Sequence, residues 1–203
     1  MKYFITGIGT EIGKTLASAI LVEALNADYW KPIQAGELEY SDSQKVKDLI
    51  SNPTSQFHAE SYRLKLPMSP HAAAHNDKIN IELSKCQLPN TSNSLIVEGA
   101  GGLLVPLNDK ECIIDLIEHL KLEVILISQH YLGSINHTLL SIEALQHRNI
   151  PIKGILFNGD ENRDSERIIL SKSKLNCLGR IPQLKTVEKA NVKAVADQIK
   201  NVF

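Results

Sequence analysis

Apolar positions along the chain fall into two alternating patterns, short continuous runs and longer stretches with helical spacing. Lys2-Tyr3-Phe4-Ile5 is an apolar, aromatic run of strand character, and Leu16 to Leu25 repeats its apolar residues at helical intervals. Tyr29-Trp30-Lys31-Pro32-Ile33 reads as a second strand, which must stop at Pro32 or lie at an edge, because proline brings no N–H to a ladder. A helix is predicted over Gln44 to Ile50, with Ser41 or Asp42 placed to cap it. Residues 52–93 are less regular, interrupted by Pro53, Pro67, Pro70 and Pro89, with short helices expected from Ser69 to His75 and around Ile81-Glu82-Leu83.

Ser94-Leu95-Ile96-Val97-Glu98 is apolar up to a carboxylate at its exit, followed by Gly99-Ala100-Gly101-Gly102. The second half alternates cleanly. Ile113 to Leu120 reads as a helix, Val124 to Ser128 as a buried strand, and Ser134 to Gln146 as a helix capped by Ser134. Ile152 to Asn158 is a strand, 164–171 a helix, Cys177 to Pro182 a strand, and a last helix starts near Val187. Strands alternating with helices predict a single-domain α/β fold, a mostly parallel central sheet with helices on both faces.

Chemistry concentrates at the first strand-to-helix turn, Gly7-Ile8-Gly9-Thr10-Glu11-Ile12-Gly13-Lys14-Thr15. A glycine loop between strand and helix, ending in Gly-Lys-Thr, is a phosphate-binding arrangement. Its backbone N–H groups and the helix dipole face phosphate oxygens, Lys14 neutralises the terminal phosphates, and the Thr15 hydroxyl suits Mg²⁺. Five residues separate Gly7 from Gly13, one more than the common spacing, and Ile8 stands where the first glycine is usual. Lys31 stands at the carboxyl end of a strand beside this loop, where ligands gather in open α/β sheets. Glu98, a charge at the exit of a buried strand, is suited to organise Mg²⁺ and its water.

Composition narrows the partners. The 203 residues carry 22 basic and 23 acidic side chains, a formal net charge of -1, which suggests neither a nucleic-acid surface nor an anionic membrane. No apolar run reaches the roughly 20 residues of a membrane span. The N-terminus enters a strand at once, so no signal peptide is expected. Cys86, Cys112 and Cys177 show no paired spacing, which favours a reducing, cytoplasmic setting without disulfides or structural zinc. His71 and His75 stand four apart but lack the glutamate of a zinc-protease helix, so no catalytic metal is expected there.

Taken in order, the motifs make the chain similar to the dethiobiotin synthetase family, within the P-loop NTPase superfamily, over nearly its whole length. They are Thr6-Gly7 through Gly13-Lys14-Thr15 with the long glycine spacing, Lys31-Pro32-Ile33, Ser41-Asp42, Ser69-Pro70-His71, Val97-Glu98-Gly99-Ala100-Gly101-Gly102, Leu132-Gly133-Ser134-Ile135-Asn136-His137 and Gly179-Arg180-Ile181-Pro182. The resemblance implies an ATP- and Mg²⁺-dependent cyclo-ligase that converts 7,8-diaminononanoate and CO₂ (or bicarbonate) to dethiobiotin, ADP and phosphate. It implies catalytic Lys31 and Lys14, and Mg²⁺ held by Thr15, Asp42 and Glu98. The nucleotide would meet Thr10, Glu11, Ile12, Gly13, Lys14, Thr15 and Leu16, and also Asp42, Glu98, Gly99, Ala100 and Gly101. Its base would lie against Asn158, Gly159, Pro182, Gln183 and Leu184. A homodimer is implied, with substrate between Lys31 and Ala35 of one copy and Gly133, Ser134 and Asn136 of the other. Ala35 departs from the Ser or Thr usual at that place, with Gln34 beside it as a possible replacement contact.

Two further classes share such a nucleotide site. A partitioning-type ATPase switch would carry an additional lysine near the start of the loop, where Ile8 and Gly9 stand here. A cobyrinate-type amide ligase would need a glutamine-hydrolysing Cys-His domain, which these 203 residues do not suggest.

Overall fold

Strands that are apolar on both sides need cover on both sides, and the chain supplies it by returning through a helix after most strands. The computed structural model describes residues 1–203. Its strands are β1 (Lys2–Gly7), β2 (Asp28–Trp30), β3 (Ile33–Ala35), β4 (Phe57–His58), β5 (Tyr62–Leu64), β6 (Leu95–Gly102), β7 (Glu123–Gln129), β8 (Ile152–Asn158) and β9 (Cys177–Ile181). The helices are α1 (Lys14–Leu25), α2 (Asp42–Leu49), α3 (Pro70–Asn76), α4 (Ile113–Leu120), α5 (Ser134–His147), α6 (Arg163–Ser173) and α7 (Lys189–Ile199). Seven strands form one sheet in the order β4-β2-β6-β1-β7-β8-β9, and every pairing in it is parallel.

Alternation along β1 shows the two layers. Tyr3 and Ile5 face a core shared with α1 and α7, through residues such as Ile20, Leu21, Val192 and Ile199. Phe4 faces the opposite core with Val97, Val124 and the α4 residues Ile113, Leu116 and Ile117. A third, smaller cluster of Leu126, Ile155 and Phe157 with Ile142 of α5 and Ile169 of α6 covers the far half of that second face.

Several boundaries differ from the sequence reading, each for a local reason. The strand expected through Ile33 breaks at Lys31-Pro32. Beyond the break, Ile33 begins β3, which pairs with β5 in a separate two-stranded sheet, and the Pro32 carbonyl accepts from the Tyr62 N–H at 3.0 Å. Neither β4 nor β5 was legible among the prolines, because two- and three-residue strands carry no period. Glu98 is not the exit of its strand. β6 runs on through the glycines to Gly102, with a register irregularity between Ile5 and Gly7 of β1. Ser41 stands at the N-cap of α2 but makes no side-chain capping hydrogen bond. The Gln34 amide oxygen instead accepts the Asp42 N–H at 3.3 Å. At α5 the cap is Gly133, at a φ of 102°, and Ser134 is the first helical residue.

Candidate active site

The carboxyl ends of β1, β2 and β6, with the start of α2, enclose a cavity of about 780 Å³. β1 delivers the phosphate loop and α1. Gly13 turns into α1 at a φ of 87°, and a Cβ there would lie 2.3 Å from the Asn158 amide nitrogen, so only glycine fits. Asn158, at the end of β8, donates to the Ile12 carbonyl at 2.9 Å and so braces the loop from two strands away, across β7. Lys14 is buried along its stem, and its ammonium donates to the Gly9 carbonyl at 2.7 Å. Burial draws its pKa down to about 8; Glu98 opposes that pull and Lys31 adds to it.

Lys31 leaves the main sheet where Pro32 interrupts it, which turns the lysine inward instead of into solvent. It is only 4% exposed. Its ammonium lies 2.6 Å from Asp42 Oδ2 and 2.8 Å from Glu98 Oε1, with the Gly99 carbonyl at 3.3 Å. Burial alone would push this ammonium down, but Glu98 and Asp42 outweigh it and hold its pKa above the ordinary lysine value. Burial likewise works against ionised Asp42, and Lys31 and Lys45 reverse that, leaving its pKa below the ordinary carboxylate. Glu98 is 1% exposed. It accepts from Thr15 Oγ1 on Oε1 at 2.9 Å and from the Tyr29 hydroxyl on Oε2 at 2.9 Å. Buried ion pairs add little net stability, so such an assembly is better explained by chemistry than by folding.

The cavity gathers much of the expected set: Thr10, Glu11, Gly13, Lys14, Thr15, Lys31, Ala35, Asp42, Glu98, Ala100 and Gly101. Ile12 belongs to the core beneath the loop, with Leu16 packed against it. Gly99 contributes its carbonyl to Lys31. Asn158 and Gly159 lie outside the cavity wall, and the Gly159 N–H donates to the Ile181 carbonyl at 2.8 Å. Pro182, Gln183 and Leu184 follow directly from Ile181. The ends of β8 and β9 thus meet through Gly159 and Ile181, and Asn158 joins β8 to the phosphate loop. Gly133, Ser134 and Asn136 are outside the cavity too. Gly133 and Asn136 are exposed at the start of α5, whereas Ser134 is buried and its carbonyl accepts from the Thr138 hydroxyl at 2.7 Å.

Some cavity residues escaped sequence reasoning. Lys45 lines the wall 3.6 Å from Asp42 Oδ1 and pairs with Glu37 at 2.5 Å. Its only signal was the spacing Asp42-x-x-Lys45, which is one helical turn. Pro67, Met68 and Val105 escaped sequence reasoning too, whereas Gln34 and Ser69-Pro70, raised by the sequence, also line the cavity. His71 and His75 line a different cavity, of about 760 Å³, with His119.

The donors suit Mg²⁺. Thr15, Asp42 and Glu98 offer hard oxygens into one cavity, and Thr15 and Glu98 are already within hydrogen-bond distance. No group of three or more His, Cys, Asp or Glu side chains gathers to cage a metal unaided. Two carboxylates, a hydroxyl and phosphate oxygens are the usual magnesium arrangement in nucleotide enzymes.

A family model described as an AAA domain matches residues 1–191. An ATP-dependent dethiobiotin synthetase of Christiangramia forsetii is 55% identical over 98% of this chain and 96% of its own length. The one from Cytophaga hutchinsonii is 53% identical, over 96% and 95%. Among solved structures, the Pyrococcus furiosus cell division ATPase MinD superposes with a TM-score of 0.59 at 12% identity, covering 100% of this chain and 99% of that one. That likeness concerns the fold alone.

Proposed function

Because the chain belongs to the dethiobiotin synthetase family, we propose that it is the ATP-dependent ligase that closes the ureido ring of dethiobiotin in biotin synthesis. Its substrates in this reading are 7,8-diaminononanoate, CO₂ and ATP. One amine of the diamine forms an N–C bond to CO₂ and gives up a proton, leaving a carbamate. A carbamate oxygen then takes the γ-phosphoryl group of ATP and ADP leaves. The second amine attacks the resulting carbonyl carbon, phosphate departs, and a further proton is released.

The residues supply what these steps need. An amine must be neutral to attack, and the cations Lys31, Lys14 and Lys45 disfavour its protonated form. The same cations stabilise the carbamate and the charge that migrates during phosphoryl transfer. Lys31 is the group assigned to the carbamate. Its two carboxylate partners keep it charged and hold its stem in one place, so the pocket is organised before substrate arrives. Lys14 and the loop N–H groups take the phosphates. Thr15, Asp42 and Glu98 would hold Mg²⁺, which neutralises phosphate charge when bound. Placing the carbamate in line with the γ-phosphate accounts for much of the rate.

In the same reading the base of ATP rests against Asn158, Gly159 and the Pro182-Gln183-Leu184 turn. The enzyme acts as a homodimer in which Gly133, Ser134 and Asn136 of the second copy receive the substrate carboxylate at a helix N-terminus. Exposed Tyr131 and Leu132 beside that helix start give the second copy an apolar landing. The reading is of a cytoplasmic enzyme. Cys86, Cys112 and Cys177 are free thiols, which suits a reducing compartment, and no helix is long and apolar enough to cross a membrane.

One observation carries the proposal. In a chain 55% identical over 98% of its length to the Christiangramia forsetii dethiobiotin synthetase, one cavity brings Lys14, Thr15, Lys31, Asp42 and Glu98 together. A product assay by mass tests it. The expected result is dethiobiotin formed only with diamine, bicarbonate and ATP together. ATP turnover indifferent to the diamine, and accelerated by DNA or lipid, would favour an ATPase switch instead.

A further inference from the structure

Glu98 is a buried carboxylate with three donors, and they are not equivalent. Thr15 and Lys31 both donate to Oε1, at 2.9 and 2.8 Å, and both line the cavity. Each is a group that the proposed chemistry draws away, Thr15 toward the metal and Lys31 toward the carbamate. The third donor is Tyr29, whose hydroxyl meets Oε2 at 2.9 Å. Tyr29 is fully buried, packs against Phe57 with ring centroids 5.8 Å apart, and is not part of the cavity wall.

Register explains the contact. Tyr29 lies opposite Ile96 in the parallel pair of β2 and β6, and Glu98 is two positions further on the same face of β6. The long tyrosine ring spans that diagonal along the sheet. A carboxylate oxygen can only accept, so the Tyr29 hydroxyl is the donor in this contact.

We propose that Tyr29 is a positioning residue for Glu98. Its hydroxyl holds Oε2 from behind the cavity, so that Oε1 stays turned toward Thr15 and the phosphate loop while nucleotide and Mg²⁺ bind. This deepens the preceding reading and rests on its assignment of Glu98 to the metal. Partners of this kind orient a ligating group from outside, and their loss costs about 10–100-fold in metal affinity or activity.

Tyr29→Phe removes the donor and keeps the ring. The readout is the Mg²⁺ concentration at half-saturation for binding of a fluorescent ATP analogue, measured without diamine, with the buried Trp30 emission reporting folding. We expect the Mg²⁺ midpoint to rise about tenfold, with metal-free nucleotide affinity unchanged. An unshifted midpoint in a folded variant overturns the role of Tyr29. A wild-type protein whose nucleotide binding ignores Mg²⁺ overturns the metal assignment of Glu98 and this inference with it. A second pair, Glu98→Gln with and without Tyr29→Phe, removes the carboxylate that the tyrosine is proposed to orient, while Asp42 still pairs with Lys31. There the two midpoints should coincide. A further rise from Tyr29→Phe in that background would show that the tyrosine acts through packing, and would sink the proposal.

Discussion

The Lys31 ammonium sits 2.8 Å from Glu98 Oε1, a carboxylate 67 positions further along the chain. Neither group is exposed, and the Glu98 carboxylate helps to hold the Lys31 ammonium in its charged form against burial. Asp42 completes the assembly from α2, so three separate elements meet at one nitrogen.

Lys31→Ala is expected to reduce dethiobiotin formation by at least about 100-fold, the scale seen when one preorganised electrostatic contact is lost. ATP affinity should stay within a few-fold, because the phosphate loop does not depend on this side chain. Leaving Glu98 short of its cation should also lower unfolding free energy by about 3 kcal/mol. Product mass, nucleotide titration and urea unfolding check the three parts. Turnover near wild type would refute the assignment of Lys31.

Lys14, at about 8, titrates within the working range. Polyphosphate raises its proton affinity again, so binding of tripolyphosphate without metal at pH 8 should take up about half a proton. The sign follows. Below pH 8 the amine is already charged and its contribution to affinity is flat; above it a proton must come from solvent and that contribution falls. Calorimetry in two buffers of different ionisation heat measures the uptake, and Lys14→Met should abolish it.

Asp28 ties the amino end of β2 to its surroundings. Oδ1 accepts from the Gln56 N–H at 3.0 Å and Asn93 at 2.9 Å; Oδ2 accepts from Thr91 at 2.7 Å and lies 3.0 Å from His58 Nε2. Burial opposes the charge, but these hydrogen bonds win and hold the carboxyl below its ordinary value. Its stabilisation is therefore complete above the ordinary carboxylate pKa of about 4, and is lost as pH falls through the lower folded-state value. Asp28→Ala should cost about 2 kcal/mol near neutrality. The gap from wild type should narrow below about pH 4, as urea unfolding at several pH values would reveal.

Gln34 is the remote cap of α2, donating to the Gly36 carbonyl at 3.0 Å and accepting the Asp42 N–H at 3.3 Å. Gln34→Ala should cost about 1 kcal/mol of stability, and should lower turnover by loosening Asp42. Ser41→Ala should change neither, since Ser41 makes no capping bond. An equal loss from both variants would contradict this division.

The order of strands and helices, the glycine loop, and Lys14 and Thr15 at the head of α1 were readable from the chain because each depends on neighbours within a few residues. Periodicity, a proline and a glycine are local facts, and they carried through to β1, α1, α4, β7 and β8. Lys31 was singled out by Pro32, yet whether it faced solvent or a cavity was open. So was the task of Asp42, which heads α2 and also pairs with Lys31.

Sequence by itself determined the alternating fold, the phosphate loop and the motif series shared with the family. Only the tertiary structure decided that β6 continues past Glu98, that Gln34 and not Ser41 caps α2, and that Tyr29, Lys31 and Thr15 converge on a single carboxylate. Those outcomes depend on strand order and register, which bring Tyr29 and Glu98 together across 69 positions. Parallel pairing is set by packing of the whole sheet, and no window of the chain contains that information.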